Sequence, residues 1–212
     1  MPAGIGAVSA FDNPLGNFLG SAGSGSGATV TVTEQVNSGD CILVISQSGG
    51  GIPTDTYGNT YVPLNTQNSL TNTSPWIFVC LNAVASHPGA NTITASGKAA
   101  YVHYSGITNF DRGKLAGAFS DVTTGIPTAG NIVPTYQGCI IVVVSIFKGA
   151  TASVGQAETA GAGYTMRLGD GVATPTGLVV VQDKAKASAV SQTTAFGNTA
   201  TGVCSTTAVC LI

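Results

Sequence analysis

The chain has 212 residues, of which only 8% are charged, with seven Lys and Arg against nine Asp and Glu and a net charge of −2. An ordinary soluble domain carries roughly a quarter charged residues. A basic face for nucleic acid therefore cannot be assembled, and acid–base, metal or phosphate chemistry has few groups to draw on.

The opening Met1–Gly6 carries no cation, the first being Lys98. It does not read as a secretory signal and points to synthesis in a cytoplasm without cleavage. No run approaches the roughly 18 apolar residues of a membrane span, so membrane insertion is not expected. Residues 1–27 read as an N-terminal arm. Phe11, Leu15, Phe18 and Leu19 are its apolar anchors, and Gly20–Gly27 is a flexible linker by its Gly/Ser composition. The anchors are too many for a solvated tail and are expected to dock on a neighbouring subunit.

Residues 28–212 read as one all-β domain. Thr29–Val36 alternates Thr and Val at period two, the pattern of a half-buried strand. Asn37–Asp40 is a turn, Cys41–Ser46 a buried strand, and Gly49–Pro53 a loop. Asp55–Thr60 is a hairpin turn in which Asp55 and Asn59 are expected to satisfy backbone groups. Calcium is the weaker reading there, since no second carboxylate lies nearby. Strands follow at Tyr61–Leu64, Pro75–Val84, Thr92–Ala95, Ala99–Tyr104, Gln137–Phe147, Tyr164–Leu168, Gly177–Val181 and Val203–Leu211. Asp183–Gln192 has alanines and lysines, but Ser and Val interrupt any helical stripe. The last strand is expected to finish inside the core. Short strands between Gly, Pro, Asn and Asp turns indicate an antiparallel two-sheet β-sandwich of jelly-roll type.

The segments Gly39–Ser46 and Gly138–Ser145 echo each other, and each is followed by a Gly- and Tyr-containing turn. Two halves contributing equivalent central strands would give this, although the echo is too faint to define a repeat architecture.

The five cysteines form no CxxC pair and sit in or beside apolar runs, as buried free thiols do. A Cys41–Cys139 disulfide is the alternative. Neither His87 nor His103 has ligand spacing to a Cys, so no metal is expected. His103 lacks a placed nucleophile and orienting acid, and no pair of opposed carboxylates can be built, so catalysis is not expected and no cofactor is implied. Asp111 with Arg112 and Lys114 is the densest charge cluster, a surface ion pair or subunit contact. Tyr57 and Tyr61 flank a turn and are the rings best placed for a ligand or a subunit. Trp76 opens an apolar run and belongs in the core.

Taken together, Gly39–Ile45, Thr54–Tyr61, Gly89–Thr94, Val102–Ile107 and Ala162–Thr165 resemble a recurring jelly-roll module of phage virion proteins and secreted bacterial surface proteins. The resemblance spans about residues 28–212 and implies a β-sandwich without catalytic residues. The strand cysteines and the arm depart from it and favour assembly inside a cell. It implies a structural virion protein of a tailed phage, a capsid decoration (cement) protein or a head or tail fibre. Its expected partners are other virion subunits and its own copies as a homo-oligomer. The other reading is a carbohydrate- or receptor-binding module meeting a host-surface glycan.

Overall fold

The computed structural model describes residues 16–25, 27–47, 50–64, 75–111, 116–118, 124–148, 159–169, 178–197, 200–201 and 203–212. These hold the strands β1 (Asn17–Gly23), β2 (Thr29–Thr31), β3 (Cys41–Ser46), β4 (Thr54–Asp55), β5 (Val62–Pro63), β6 (Trp76–Cys80), β7 (Thr92–Thr94), β8 (Ala99–Ser105) and β9 (Ala116–Ala118). They continue with β10 (Thr124–Gly125), β11 (Asn131–Ile132), β12 (Cys139–Lys148), β13 (Thr165–Gly169), β14 (Leu178–Ala187), β15 (Gln192–Thr193), β16 (Ala200–Thr201) and β17 (Val203–Leu211). Among the described residues there is no helix long and apolar enough to cross a membrane.

The fold is an all-β antiparallel sandwich. One five-stranded sheet runs β1-β8-β3-β6-β5 and the other β13-β14-β12-β17-β9. Between them lies a core of Leu43, Ile45, Ile77 and Val102 from the first sheet against Val142, Val144, Val181 and Val209 from the second. Each sheet is built by one half of the chain, a division that a single jelly roll wrapped through the whole length does not have. The central strands β3 and β12 have apolar neighbours on both faces, which is why they read as unbroken runs (CILVIS and CIIVVVS) instead of alternating.

Both sheets are covered on the outside as well. The small sheet β2-β7-β4 packs Val30 and Ile93 onto Ile42, Val44, Phe78 and Tyr101. On the second sheet Ala129, Ile132, Tyr164 and Phe196 cover Ile141, Val143, Val180 and Cys210. Each fully buried Ile or Val contributes about 1.5–3 kcal/mol relative to exposure. The Thr/Val alternation of 29–36 holds in burial, with Val30, Val32 and Val36 in and Thr31, Thr33 and Gln35 out. Only Thr29–Thr31 is regular strand, and the rest follows the 86–92 segment through single bonds such as Val32 N to Asn91 O at 2.8 Å. Asp183 onward continues as β14 to Ala187. Leu211, at the end of β17, is fully buried.

The stretch expected as arm and linker divides. Phe11 and Leu15 lie outside the described residues. Asn17–Gly23 is a strand of the first sheet, paired antiparallel with β8 through Phe18–Tyr104 and Ser21–Val102, with a bulge between Phe18 and Gly20. Composition misled here because small residues serve close approach as readily as flexibility. A Cβ on Gly20 would overlap the Glu34 carboxylate, so only glycine lets the strand lie down. Phe18 stands edge-on to Tyr104, with centroids 5.8 Å apart, under the Arg167 guanidinium at 4.3 Å. Within this chain, Phe18 is thus a seam residue, while Leu19 points outward.

Gly20→Val should lower stability by about 1–3 kcal/mol through overpacking against Glu34. Gly27→Ala, where a Cβ meets only ordinary contacts, should leave it nearly unchanged. Urea denaturation of the two variants distinguishes these outcomes.

Candidate functional site

Among the described residues, several charged groups are drawn into the fold. His103 on β8 is fully buried, and its Nδ1 lies 3.0 Å from Glu34 Oε1 while its Nε2 lies 3.0 Å from Asp40 Oδ2. Each ring nitrogen thus faces a carboxylate oxygen, and a nitrogen that carries a proton donates to the oxygen it faces. The carboxylates are held in turn. Asn37 N donates to Asp40 at 2.8 Å, and Tyr101 Oη donates to Glu34 at 2.9 Å while accepting from Thr33 N at 3.0 Å. Burial pulls the Glu34 carboxyl up, but the hydrogen bonds from His103 and Tyr101 outweigh it and hold the group below its ordinary value. Burial pushes the Tyr101 phenol up to about 12, so it remains a donor.

A second buried group crosses the sandwich. Asp183 Oδ2 on β14 accepts from Tyr104 Oη at 3.0 Å and from Arg167 Nε at 2.8 Å. Arg167 also meets β1, through its ring contact with Phe18 and its carbonyl, which accepts from Ser21 Oγ at 2.6 Å. The cluster ties β1, β8, β13 and β14 into one seam.

Asp55 is the hub of its turn. Its Oδ1 accepts from Tyr57 N and Asn59 N, both at 3.0 Å. Its Oδ2 accepts from Tyr61 Oη and Asn59 Nδ2, both at 2.7 Å, and from Asn91 Nδ2 at 3.2 Å. Burial raises this carboxyl and the donors more than reverse it, leaving it below its ordinary value. With its lone pairs engaged, the carboxylate acts as the backbone-satisfying turn group that the sequence suggests. Asn59 completes the arrangement by accepting from Val84 N at 2.7 Å.

The remaining expectations are placed as follows. Tyr61 is buried and bonded to Asp55, because its ring covers the outer face of the first sheet, so it is not an exposed contact residue. Tyr57 is half-buried at the turn. Asp111 is buried and accepts from Thr135 N at 2.9 Å, while its expected ion-pair partners Arg112 and Lys114 lie outside the described residues. All five cysteines are buried free thiols, and Trp76 packs on the first outer core. Among the described residues no cluster of His, Cys, Asp or Glu is arranged to hold a metal ion.

Sequence reading missed the His103 and Asp183 clusters because His103 stands 63 and 69 residues from its carboxylates, and Tyr104 stands 79 from Asp183. The available signal was modest, a histidine between Val102 and Tyr104 in an otherwise apolar strand.

Of the large apolar side chains exposed among the described residues, four stand at one end of the sandwich. Thr108 N and Asn109 N donate to Ile212 O at 2.8 and 2.9 Å, so β8 and β17 finish side by side. The registers Cys41–Tyr104 and Ile140–Leu211 then put the starts of β3 and β12 at that same end. The loops there carry the exposed Val84, Val133, Tyr136 and Val190. A cleft of about 290 Å³ opens beside Val84, lined also by Asn59, Thr60, Leu81 and Asn82. Comparison with known protein families, curated proteins and solved structures finds no match.

His103→Leu should cost about 3 kcal/mol by leaving the Glu34 and Asp40 carboxylates without the ring nitrogens they face. A carboxylate held below its ordinary value adds stability above that value and loses it as pH falls through the folded-state value. The wild type should therefore weaken below about pH 4.5, and Glu34→Gln should weaken less steeply there. Urea midpoints measured across pH check both.

Proposed function

We propose that this protein is a structural subunit of a virion, a decoration or fibre component that works by surface contact without catalysis. The observation that supports it most is the disposition of its polar groups. Inside the sandwich His103 stands between Glu34 and Asp40 and Arg167 meets Asp183, while large apolar side chains stand exposed at one end, Tyr136 at 54% and Val190 at 59%. Such a surface suits an interface core, where aromatic residues are enriched and charge is depleted. A net charge of −2 does little to keep copies apart. The occupant that fits this end is a second copy of the chain within an assembled particle. A stable contact of this kind buries roughly 1,600 Å², and repetition over a shell or fibre adds avidity.

The cleft beside Val84 favours a second reading. Thr60 and Asn82 give it polar groups of the sort that orient a small sugar.

Sedimentation velocity and negative-stain microscopy of purified chain separate the two. The wild type should self-associate with concentration. Tyr136→Asp with Val190→Asp should keep the same denaturation midpoint within about 0.5 kcal/mol and remain monomeric. A wild type that stays monomeric at every concentration overturns self-assembly. Binding on a glycan array would then select the receptor reading.

A further inference from the structure

The echo between Gly39–Ser46 and Gly138–Ser145 extends to the strand order of the two five-stranded sheets. In the first half β3 is central, flanked by β8 and β6, with β1 outside β8 and β5 outside β6. In the second half β12 is central, flanked by β17 and β14, with β9 outside β17 and β13 outside β14. The covering strands match too, since β2 pairs with β7 as β11 pairs with β15. In each half a buried tyrosine, Tyr61 or Tyr164, immediately precedes the edge strand and covers the outer face of its own sheet.

The match holds residue by residue at the centre. Gly39 and Gly138 both adopt positive φ, 91° and 81°, two residues before the first inward side chain, Cys41 or Ile140. Cys41 pairs with Tyr104, and Ile140 with Leu211. It follows that Ile42 corresponds to Ile141, Leu43 to Val142 and Val44 to Val143, and the buried Ser46 to the buried Ser145. The same alignment sets Asp40 against Cys139 and His103 against Cys210. Those two positions touch in both halves, as a carboxylate and imidazole at 3.0 Å in the first and as two hydrogen-bonded thiols in the second. One site has kept its geometry and changed its chemistry.

The sheets face each other with their orders reversed. β1, outside β8, lies against β13, and β8 meets β14 through Tyr104 and Asp183. With β8 and β17 ending side by side, the operation relating the halves is a rotation about an axis along the strands. A surface that meets its own equivalent across a twofold is an isologous interface.

We infer that the chain is two copies of one folding unit joined end to end, and that the face buried between the two five-stranded sheets is a self-recognising surface whose partner is a second copy of that unit. Leu43, Ile45 and Val102 on one side and Val142, Val144 and Val209 on the other are the same surface used twice.

The test starts from the full chain with a protease site inserted between Ile107 and Thr108. After cleavage the two fragments should elute together as one folded particle, with a dissociation constant below about 1 μM. Fragments that separate in native buffer overturn the inference. If the insertion disturbs folding, exchange of equivalent residues in the uncut chain serves instead. Leu43→Val should lower the denaturation midpoint, and adding Val142→Leu should restore it, because the pair merely trades places across the shared face. A double variant as destabilised as the sum of its single changes overturns the inference.

Discussion

Burial of β3 and β12 on both faces is the constraint from which the remaining architecture follows. A strand with apolar side chains above and below cannot sit in a simple two-layer sandwich with a wet exterior. Its outer face needs a cover, and here β2-β7-β4 provides one while the loops around Ile132, Tyr164 and Phe196 provide the other. The covering layers are short and irregular because their task is to shield a face, with few ladder bonds of their own. Their turns are therefore fastened by side chains, most visibly by Asp55, which gathers backbone and side-chain donors around one carboxylate.

The low charge of the chain acquires a structural meaning in this setting. A buried ion is costly unless paired and hydrogen-bonded, and the pairs at His103 and Asp183 stand where layers meet. One joins β8 to the segment carrying Glu34 and Asp40, and the other joins the two sheets and β1. Apolar packing would tolerate a slipped register, whereas these pairs tolerate one arrangement. Among the described residues Asp183 Oδ1 has no hydrogen-bond partner.

Much of this was legible in the chain. Continuous apolar runs identified β3 and β12, and the Asp55–Asn59 turn was readable from its residue types, since local side-chain bonds span only a few positions. The failures share a cause. Gly20 read as linker because composition does not distinguish a glycine that frees the chain from one that lets it approach Glu34. Tyr61 and Asp111 read as exposed because turn and loop neighbours say nothing of what folds over them. The His103 and Asp183 clusters join distant positions, and no local pattern encodes them. The duplicated topology was faint for the opposite reason: two units packed on each other need to keep only facing, glycine turns and register, so their sequences were free to drift.

The distribution of the thiols has a practical side. Cys41 lies in the core between the sheets, Cys80 under the first cover, and Cys139, Cys204 and Cys210 under the second. Burial pushes the Cys41 and Cys80 thiols up, so neither presents a thiolate while its layer is closed. Each layer thus carries its own chemical clock. The order in which an alkylating reagent marks the five sulfurs records which part of the molecule breathes first, without any label having to be introduced.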